Sequence, residues 1–382
     1  MTLRRIACVV ALLLCAATPA VGAADVRTAT PRDNGAHPGA GDRTEWWFVS
    51  ALSPGTDFAV AAALGSEFPG SPSATVVFLY LPDGSVHTVA RPQPVEGTPA
   101  TDDVDVRLGT DRLRRVAPGV YRLTIDMRGG FPLHGAPVGR VRLDLTIRAT
   151  APGFTAGPLE LPDGQDLSWT VAAPSARVSG VVEVDGRRYA LDGAPGYHDH
   201  NYGEFDLADD AHGGWDWSQV HLPAGRSLVT GIVRPSDPSL RDGVAVLSGP
   251  DGRLGEARAE DVTVTRGRWS RVGPLYYPRD LTLRARLSDG WSIRVRYRAR
   301  HAAPLSFSLD GSSALVEIES RASGELRRDG RVVSRWTGAP GFYEYESTPI
   351  TRQRDAVPGS AAWAGGLTRA AARTLQAATA AA

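Results

Sequence analysis

The chain has 382 residues, enough for two domains of ordinary size, each with its own hydrophobic core. Its 42 basic residues, all of them arginine, balance 42 acidic residues without forming a basic cluster. This charge balance argues against binding to nucleic acid.

The first 23 residues have the features of a secretory signal peptide. Arg4 and Arg5 precede an apolar run over 6–17, and the small residues of the segment VGA end at Ala23. We therefore expect cleavage after Ala23 and a secreted or extracytoplasmic protein. The apolar run is too short to span a bilayer, so we predict no transmembrane segment. Both cysteines lie inside the signal peptide, which excludes a disulfide or a cysteine metal site in the mature chain.

Alternation of apolar and polar residues indicates an all-β protein. The segments VYRLTIDMR (120–128) and RVRLDLTIR (140–148) alternate with period two, which is typical of half-buried antiparallel strands. Helical periodicity is nearly absent before residue 350, so the body is predicted to be a barrel or a sandwich. Asp-Gly pairs, which favour tight hairpin turns, occur at 83–84, 185–186, 251–252, 289–290 and 329–330.

Two internal similarities indicate a duplication. EWWFVSAL (45–52) and WDWSQVHL (215–222) both place a tryptophan five residues before a leucine. GAPGYHDHN (193–201) resembles GAPGFYEYE (338–346), and each closes its half of the chain.

The duplication predicts two consecutive β domains. We place a linker at 24–39, the first domain at 40–205 and the second at 206–350. Residues 351–382 are rich in alanine but lack an apolar stripe long enough to dock firmly, so we interpret them as a tail.

The segment GYHDHNYG (196–203) is the densest group of polar and aromatic residues in the chain. If it is an extended strand, its side chains alternate between two faces. One face carries Tyr197, Asp199 and Asn201, and the other carries His198, His200 and Tyr202. The first and last strands of a barrel become neighbours on closure, so we expect Glu45, Trp46 and Trp47 to lie beside this segment. Since Trp46 and Trp47 point to opposite faces, one should be core and the other should face a cavity or the domain junction.

A metal site in this segment is the first alternative. His198 and His200 share a strand face and Glu204 follows, which is the spacing of the first ligand set of a cupin. The second cupin motif needs another histidine, but Leu228 occupies that position in PAGRSLV. We therefore predict that the protein holds no tightly bound metal.

Acid catalysis is the second alternative, and a structural strand end is the third. An aspartate in an apolar cavity has a raised pKa and can donate a proton, as Asp199 would if its face lines such a cavity. Aromatic faces nearby would stabilise a developing carbocation. In the plainest interpretation, the segment only caps a barrel by hydrogen bonds. No Gly-x-Ser-x-Gly elbow or phosphate-binding loop is present to indicate hydrolysis or nucleotide chemistry.

Four motifs in order carry a resemblance to a known family. EWWF, GYHDHNYG, GWDW and GFYEYE together resemble the hydroxyneurosporene synthase or carotenoid 1,2-hydratase-like family, to which AttH-like proteins and decalin-forming Diels–Alderases also belong. The resemblance spans residues 40 to 350. It implies two tandem lipocalin-like antiparallel β-barrel domains, with an apolar ligand bound in or between them.

The resemblance also implies site residues. A Tyr-x-Asp pair acts in the hydratases of the family, and it corresponds to Tyr197 and Asp199. Those hydratases use a His-x-Trp element upstream, for which this chain has Trp169 but Leu167 in place of the histidine. A pericyclase of the family needs no proton donor and would tolerate Leu167.

Three functions from different classes follow. The first is a secreted lyase that hydrates or cyclises an isoprenoid or polyene by protonating a C=C bond. The second is a cyclase of the pericyclase type that works by shape and hydrogen bonds in natural-product assembly, and the third is a non-catalytic carrier of lipid or pigment. We expect a hydrophobic small molecule as ligand and no cofactor; the sequence leaves the oligomeric state open. Besides the catalytic pair, the expected substrate-binding residues are Trp169, Glu45, Trp46, Trp47, His198, His200, Asn201, Trp215, Trp217 and His221.

Overall fold

The structure is a computed structural model. It describes residues 25–37, 43–53, 55–67, 73–93, 101–161, 164–206, 214–234, 241–273, 275–306 and 314–347. The predicted signal peptide and the alanine-rich tail lie outside these residues. Nearly all of the described chain forms antiparallel strands, as the alternating sequence predicts.

The first sheet has thirteen strands. They are β1 (Val26–Thr28), β2 (Thr44–Ser53), β3 (Phe58–Glu67), β4 (Ala74–Tyr80), β5 (Val86–Pro92), β6 (Asp105–Leu108), β7 (Asp111–Ala117), β8 (Val120–Arg128), β9 (Phe131–His134), β10 (Arg140–Ala149), β11 (Phe154–Glu160), β12 (Asp166–Val184) and β13 (Arg187–Gly203). The order is β6-β7-β8-β10-β12-β13-β2-β3-β4-β5-β9, and β11 joins β1 to β12.

The second sheet has nine strands. They are β14 (Trp215–Leu222), β15 (Arg226–Val233), β16 (Asp242–Gly249), β17 (Gly252–Arg258), β18 (Val262–Val272), β19 (Leu275–Arg286), β20 (Trp291–Ser306), β21 (Ala314–Arg328) and β22 (Arg331–Ser347). The order is β17-β16-β15-β14-β22-β21-β20-β19-β18. In both sheets the first long strand pairs with the last, β2 with β13 and β14 with β22. The domain boundaries drawn from the sequence remain a prediction.

Each predicted Asp-Gly pair lies at the connection between two consecutive strands, and Gly252 is already the first residue of β17. Asp185, Asp289 and Asp329 have φ of 49°, 54° and 49°, and the glycine after each also has a positive φ. Positive φ at both central residues defines the type I′ turn, whose twist matches that of the flanking strands. The turn residues therefore fix the hairpins β12–β13, β19–β20 and β21–β22.

Strand alternation creates three apolar clusters. On β8, Leu123, Ile125 and Met127 are buried inside the first sheet, where they contribute to its core. A second core fills the inside of the second sheet around Val295 and Ile318. The third cluster combines outward-facing side chains of both sheets and forms the junction between them. A site at this junction is therefore built from both halves of the chain.

The strand pairing at the junction gives a correspondence between the two sheets that differs by one residue from the sequence match of EWWFVSAL with WDWSQVHL. Asp199 pairs with Phe48 in the first sheet, and Glu344 pairs with Trp217 in the second. If the two GAPG segments are superposed, Asp199 therefore matches Glu344 and Phe48 matches Trp217. The tryptophan-to-leucine spacing had instead matched Trp47 to Trp217, and a shift of one residue exchanges the two faces of a strand.

Candidate functional site

A small cavity lies at the junction of the two sheets. Its volume is about 50 Å³, and both sheets contribute its walls. The lining residues are Trp46, Phe48, Leu159, Leu167, Trp169, Asp199, Asn201, Trp215, Trp217, Gly231, Ile232, Val233 and Glu344. The lining is therefore aromatic and aliphatic, with two carboxyl groups and one amide among its members.

Asp199 is the most densely hydrogen-bonded polar group of this cavity. Its Oδ2 accepts from the hydroxyl of Tyr197 at 2.7 Å and from the indole Nε1 of Trp169 at 2.9 Å. Its Oδ1 accepts from Asn201 Nδ2 at 3.2 Å. Alternation along β13 accounts for two of these contacts, because residues 197, 199 and 201 share one face. Trp169 comes from the neighbouring strand β12.

Burial raises the pKa of Asp199 to about 7. The side chain is almost completely removed from solvent, which penalises its charged form, and the nearby carboxyl of Glu344 adds to the shift. The hydrogen bonds from Trp169, Tyr197 and Asn201 oppose the shift without cancelling it. Near neutral pH a substantial fraction of Asp199 is therefore protonated and able to donate a proton.

Tyr197 supports Asp199 from behind the cavity lining. It is fully buried, and burial raises the pKa of its hydroxyl well above the usual range, with the Asp199 charge adding to the effect. The hydroxyl thus stays neutral and acts as a donor. Its ring makes an edge contact with Trp217, with the ring centroids 5.3 Å apart.

Aromatic rings form the other walls. Trp46 and Trp215 stack across the junction with their centroids 6.3 Å apart, and Phe48 meets Trp217 edge-on at 5.6 Å. Trp46 and Trp215 are both partly exposed, as is Leu167, whereas Asp199 is buried. The exposed rings therefore lie at the mouth of the cavity and the carboxyl group lies at its base.

Two acidic residues in the second sheet were missed by the sequence interpretation. Glu344 lines the cavity and accepts a hydrogen bond from Trp215 Nε1 at 2.8 Å. Glu317 lies opposite Glu344 on the adjacent strand β21, is fully buried, and is within hydrogen-bonding reach of the Glu344 carboxyl. Burial raises the pKa of both groups. The match between GAPGYHDHN and GAPGFYEYE was the signal that could have identified Glu344, since it superposes this residue on Asp199.

His198 lies on the opposite face of β13, inside the first sheet. Its Nδ1 donates to the carbonyl oxygen of Phe48 at 2.9 Å, and Asn34 Nδ2 donates to its Nε2 at 3.0 Å. Burial lowers the pKa of His198 to about 4. Both ring nitrogens thus have partners in the neutral form, and the residue serves the core of the sheet rather than the cavity.

His200 lies on the same inner face and contacts Glu45. The His200 Nε2 is 3.0 Å from Glu45 Oε1, and its Nδ1 is 3.1 Å from the carbonyl oxygen of Asp33. The Glu45 carboxylate also accepts from the backbone N–H of His37 at 2.8 Å and from Ser66 Oγ at 3.2 Å. Burial opposes ionisation of Glu45, but the hydrogen bonds from His200 and His37 lower its pKa to about 2.

One group of side chains in the described part of the chain has a geometry that could hold a metal ion. Ligand atoms of His37, Glu45 and His200 lie within 4.8 Å of one another. This is not the set predicted from the cupin spacing, because His198 is engaged with Phe48 and Asn34. The hydrogen bonds to Glu45 give the carboxylate partners without an ion. The absence of a tightly bound metal remains a prediction.

The expected neighbours of the GYHDHNYG segment are confirmed. Strand β2 pairs with β13, with Trp46 opposite Asn201 and Trp47 opposite His200. Trp47 is buried in the core of the first sheet, whereas Trp46 lines the cavity.

The predicted substrate-binding residues therefore divide into two groups. Trp169, Trp46, Asn201, Trp215 and Trp217 line the cavity together with Asp199. Glu45, Trp47, His198 and His200 do not line it, because strand alternation directs their side chains into the first sheet.

His221 is also outside the cavity. It lies on β14 four residues beyond Trp217, and its Nε2 is 2.6 Å from Gln219 Nε2. Burial lowers the pKa of its ring to about 3, and the charge of Arg177 acts in the same direction. The position of His221 along the strand, rather than its face, separates it from the cavity.

A second cavity, of about 440 Å³, lies beside the first sheet. It is lined largely by polar and small residues, among them Thr30, Asn34, Asp103 and Arg115. Two of these lining residues, Asp103 and Arg115, form an ion pair with each other. This lining fits an apolar ligand less well than that of the junction cavity does.

The fold and the junction cavity define a lipocalin-like, two-sheet β protein with buried carboxyl groups between its sheets. The family model described as "Domain of unknown function (DUF7064)" matches residues 30–346, so the chain belongs to this family. No curated protein sequence matches the chain. Among the described residues, no helix is both long and apolar enough to cross a membrane.

Several solved structures share the fold. An AttH-like protein of Nitrosomonas europaea has a TM-score of 0.55 and 19% identity, over 82% of this chain and 95% of that one. Kievitone hydratase of Nectria haematococca has a TM-score of 0.57 and 16% identity, over 87% and 94%. CghA with Sch210972 has a TM-score of 0.56 and 14% identity, over 81% and 89%. At these identities the similarity establishes the fold and leaves the reaction to be argued from the site.

Proposed function

We propose that the protein is an enzyme that protonates a C=C bond of a hydrophobic isoprenoid or polyene at the junction cavity. The resulting carbocation is captured by water, which gives hydration, or by a nucleophile within the substrate, which gives a ring. The observation that carries this proposal is Asp199, a carboxyl group at the base of an apolar cavity with a pKa of about 7.

The surroundings of Asp199 suit a general acid. Protonation of an alkene needs a donor that is still protonated near neutral pH, and an exposed aspartate is not. Tyr197 and Trp169 hold the carboxyl by hydrogen bonds to the same oxygen, Oδ2. The other oxygen, Oδ1, has only the longer bond from Asn201, so it is the better placed to carry the transferred proton.

The aromatic walls suit the cation that follows. The faces of Trp, Tyr and Phe rings attract positive charge, by about 2 kcal/mol or more where water is excluded. Trp46, Trp169 and Trp217 line the cavity, and Phe48 lines it as well and contacts Trp217 edge-on. A cation formed next to Asp199 is thus stabilised by the faces of these rings.

The leucine that replaces the expected histidine is compatible with this chemistry. Leu167 lines the cavity, and the donors to Asp199 are Trp169, Tyr197 and Asn201. An apolar residue at 167 therefore leaves the hydrogen bonds of the acid intact and adds to the apolar wall.

The size of the cavity limits the reacting group. The volume of the cavity is only about 50 Å³, so it admits the reacting end of a substrate and not a whole polyene. The rest of the substrate then extends past Trp46 and Trp215, which are partly exposed.

The comparisons support this choice at the level of fold and class. One structure of similar fold is named as a hydratase, and another holds the small molecule Sch210972. A pericyclase that works by shape and hydrogen bonds does not need a group that gives up its proton, and a carrier needs no proton donor. We propose in addition that the enzyme acts outside the cytoplasm, on the strength of the signal peptide in the sequence.

Turnover of a prenylated aromatic tests the proposal. The probe is ortho-prenylphenol, because protonation of its alkene gives a tertiary cation that yields either the tertiary alcohol or the ring-closed chroman. We expect the wild-type protein to form one or both products and Asp199→Asn to lose roughly 100-fold or more of this rate. Undiminished turnover by Asp199→Asn would exclude Asp199 as the acid. Binding of the probe, followed by quenching of tryptophan fluorescence, should persist in the variant.

A further inference from the structure

We propose that Glu344, in the second sheet, is a second catalytic residue, which takes a proton from the attacking water, and that Glu317 is the positioning residue that keeps Glu344 ionised. This inference rests on the proposed function and assigns hydration as its reaction. The junction site is then a two-carboxyl site, with the acid from one sheet and the base from the other.

The first observation is the placement of the two carboxyl groups. Asp199 and Glu344 both line the junction cavity and occupy equivalent positions on β13 and β22. Each accepts a hydrogen bond from an indole N–H, from Trp169 at 2.9 Å and from Trp215 at 2.8 Å. A small group bound in this cavity therefore lies between two similarly held carboxyls.

The second observation is the pair that Glu344 forms with Glu317. Both carboxyl oxygens of Glu317 are buried and, within the described residues, receive no hydrogen bond from an N–H or hydroxyl group. Its neighbour is the carboxyl of Glu344. Two ionised carboxylates in contact repel each other strongly in a buried site, so such a pair holds one proton.

The environment decides which member carries that proton. Glu317 is fully buried, and the charges of Glu344 and Asp199 raise its pKa well above the usual range. Burial raises the pKa of Glu344 as well, but this residue is partly exposed, and the hydrogen bonds from Glu317 and Trp215 oppose the rise and favour its ionised form. The proton therefore belongs to Glu317, and Glu344 presents a carboxylate to the cavity.

The two groups complete a balanced hydration. The Asp199 proton adds to the less substituted alkene carbon, and the π electrons form that C–H bond and leave a tertiary cation. A water oxygen bonds to the cation while one of its protons passes to Glu344. The product is a tertiary alcohol. Asp199 is left as carboxylate and Glu344 as acid, and transfer of this proton back to Asp199 through solvent restores the starting state.

A purely structural pair would behave differently. A buried carboxyl pair is costly, and replacing it with uncharged side chains of similar size is often neutral or stabilising. The two substitutions Glu317→Gln and Glu344→Gln would then have similar effects. If Glu344 is the base, they differ, because glutamine at 317 still donates an N–H to Glu344, whereas glutamine at 344 cannot accept a proton.

The test measures alcohol formation and deuterium uptake by ortho-prenylphenol in D₂O. We expect Glu344→Gln to lower alcohol formation roughly 100-fold or more, while deuterium still enters the recovered alkene by reversible protonation from Asp199. Glu317→Gln should keep alcohol formation within about tenfold of wild type, since the change preserves a donor to Glu344. Glu325→Gln, a substitution of the same kind at a partly exposed residue outside the cavity, should match wild type.

The outcomes separate the two proposals. If neither the wild type nor Asp199→Asn incorporates deuterium into the substrate, the proposed function fails. Normal alcohol formation by Glu344→Gln, or equal losses in Glu344→Gln and Glu317→Gln, overturns the role of Glu344 while leaving that of Asp199 intact. Infrared spectroscopy provides a readout without substrate. At a pH well above 7 the wild type should keep the carbonyl band of one buried protonated carboxyl, and Glu317→Gln should lose it. Absence of this band from the wild type would also overturn the inference.

Discussion

Asp199 and Glu344 occupy equivalent positions in the two sheets and line one cavity between them. Each of the two sheets thus contributes a carboxyl group to a shared site. The surrounding residues differ: Asp199 has Tyr197 as a donor, whereas the equivalent residue in the second sheet, Phe342, has no hydroxyl. The two carboxyls are accordingly suited to different roles.

The first prediction concerns stability as a function of pH. Because the pKa of Asp199 is raised from 3.8 to about 7, the folded protein binds this proton more tightly than the unfolded chain does. Stability of the wild type should therefore fall as pH rises from about 4 to about 7, by up to about 4 kcal/mol at 1.36 kcal/mol per pKa unit. Asp199→Asn should lack this fall and be the more stable protein above pH 7. Denaturant titrations at several pH values measure it.

Asp126→Asn is the control for the sign of this effect. Hydrogen bonds from Arg140 lower the pKa of Asp126, so its small contribution is present at neutral pH and lost as pH falls. Asp126→Asn should therefore reduce the loss of stability at acidic pH, whereas Asp199→Asn removes a loss of stability that occurs as pH rises. If Asp199→Asn is less stable than wild type above pH 7, and its stability changes with pH as that of wild type does, the raised pKa of Asp199 is contradicted.

The second prediction concerns the support of Asp199 by Trp169. A Cβ atom at Gly231 would lie 2.8 Å from Cζ3 of the Trp169 indole, too close for an ordinary contact. Gly231→Ala should therefore displace the ring, weaken its hydrogen bond to Asp199 and destabilise the protein by about 1–3 kcal/mol. Gly267→Ala, where no atom lies within 4 Å of the added Cβ, should leave activity unchanged. Equal activities of the two variants would show that the position of Trp169 is unimportant.

The third prediction concerns the indole of Trp215. Trp215→Phe keeps a ring that can stack on Trp46 but removes the donor to Glu344. A hydrogen bond to a charged group contributes about 1.5–3 kcal/mol, so turnover of ortho-prenylphenol should fall roughly tenfold or more. Binding of the probe should change little. Trp291→Phe, in the core of the second sheet, serves as the matched control. A loss confined to binding would contradict the role of the N–H group.

The fourth prediction concerns Glu45, which the structure separates from the cavity. Glu45→Gln removes the charge that accepts hydrogen bonds from His200 and from the His37 N–H, and we expect a loss of about 1.5–3 kcal/mol in the free energy of unfolding. The pKa of Glu45 is lowered to about 2, so the stability it contributes is present above its unfolded pKa and is lost as pH falls toward 2. The rate per folded molecule should remain near that of wild type. A strong loss of rate in fully folded Glu45→Gln would place this residue in the chemistry after all.

Alternation and turn chemistry made much of the site predictable. Asp-Gly pairs formed the turns of three hairpins, and period two along 196–203 put Tyr197, Asp199 and Asn201 on one face. The same argument assigned Trp46 and Trp47 to opposite sides of β2. These features were predictable because they are decided by adjacent residues in the sequence or by strand pairing within one sheet.

The docking of the two sheets was not predictable in the same way. Glu317 and Glu344 approach Asp199 only through packing of outward-facing side chains, which no local pattern encodes. The choice between the faces of β13 also depended on this packing, so His198 and His200 were grouped with the cavity although they serve the core. A one-residue error in matching Trp47 to Trp217 further obscured the equivalence of Trp46 and Trp215.

The pH dependence of turnover tests the central role of Asp199 most directly. If its protonated form starts the reaction, kcat/KM for ortho-prenylphenol should fall tenfold per pH unit above about 7, the pKa of this carboxyl in the folded protein. The residual rate of Asp199→Asn should lack this decline. A wild-type rate that stays level or rises through pH 7, or an Asp199→Asn variant with the wild-type profile, would contradict catalysis by Asp199.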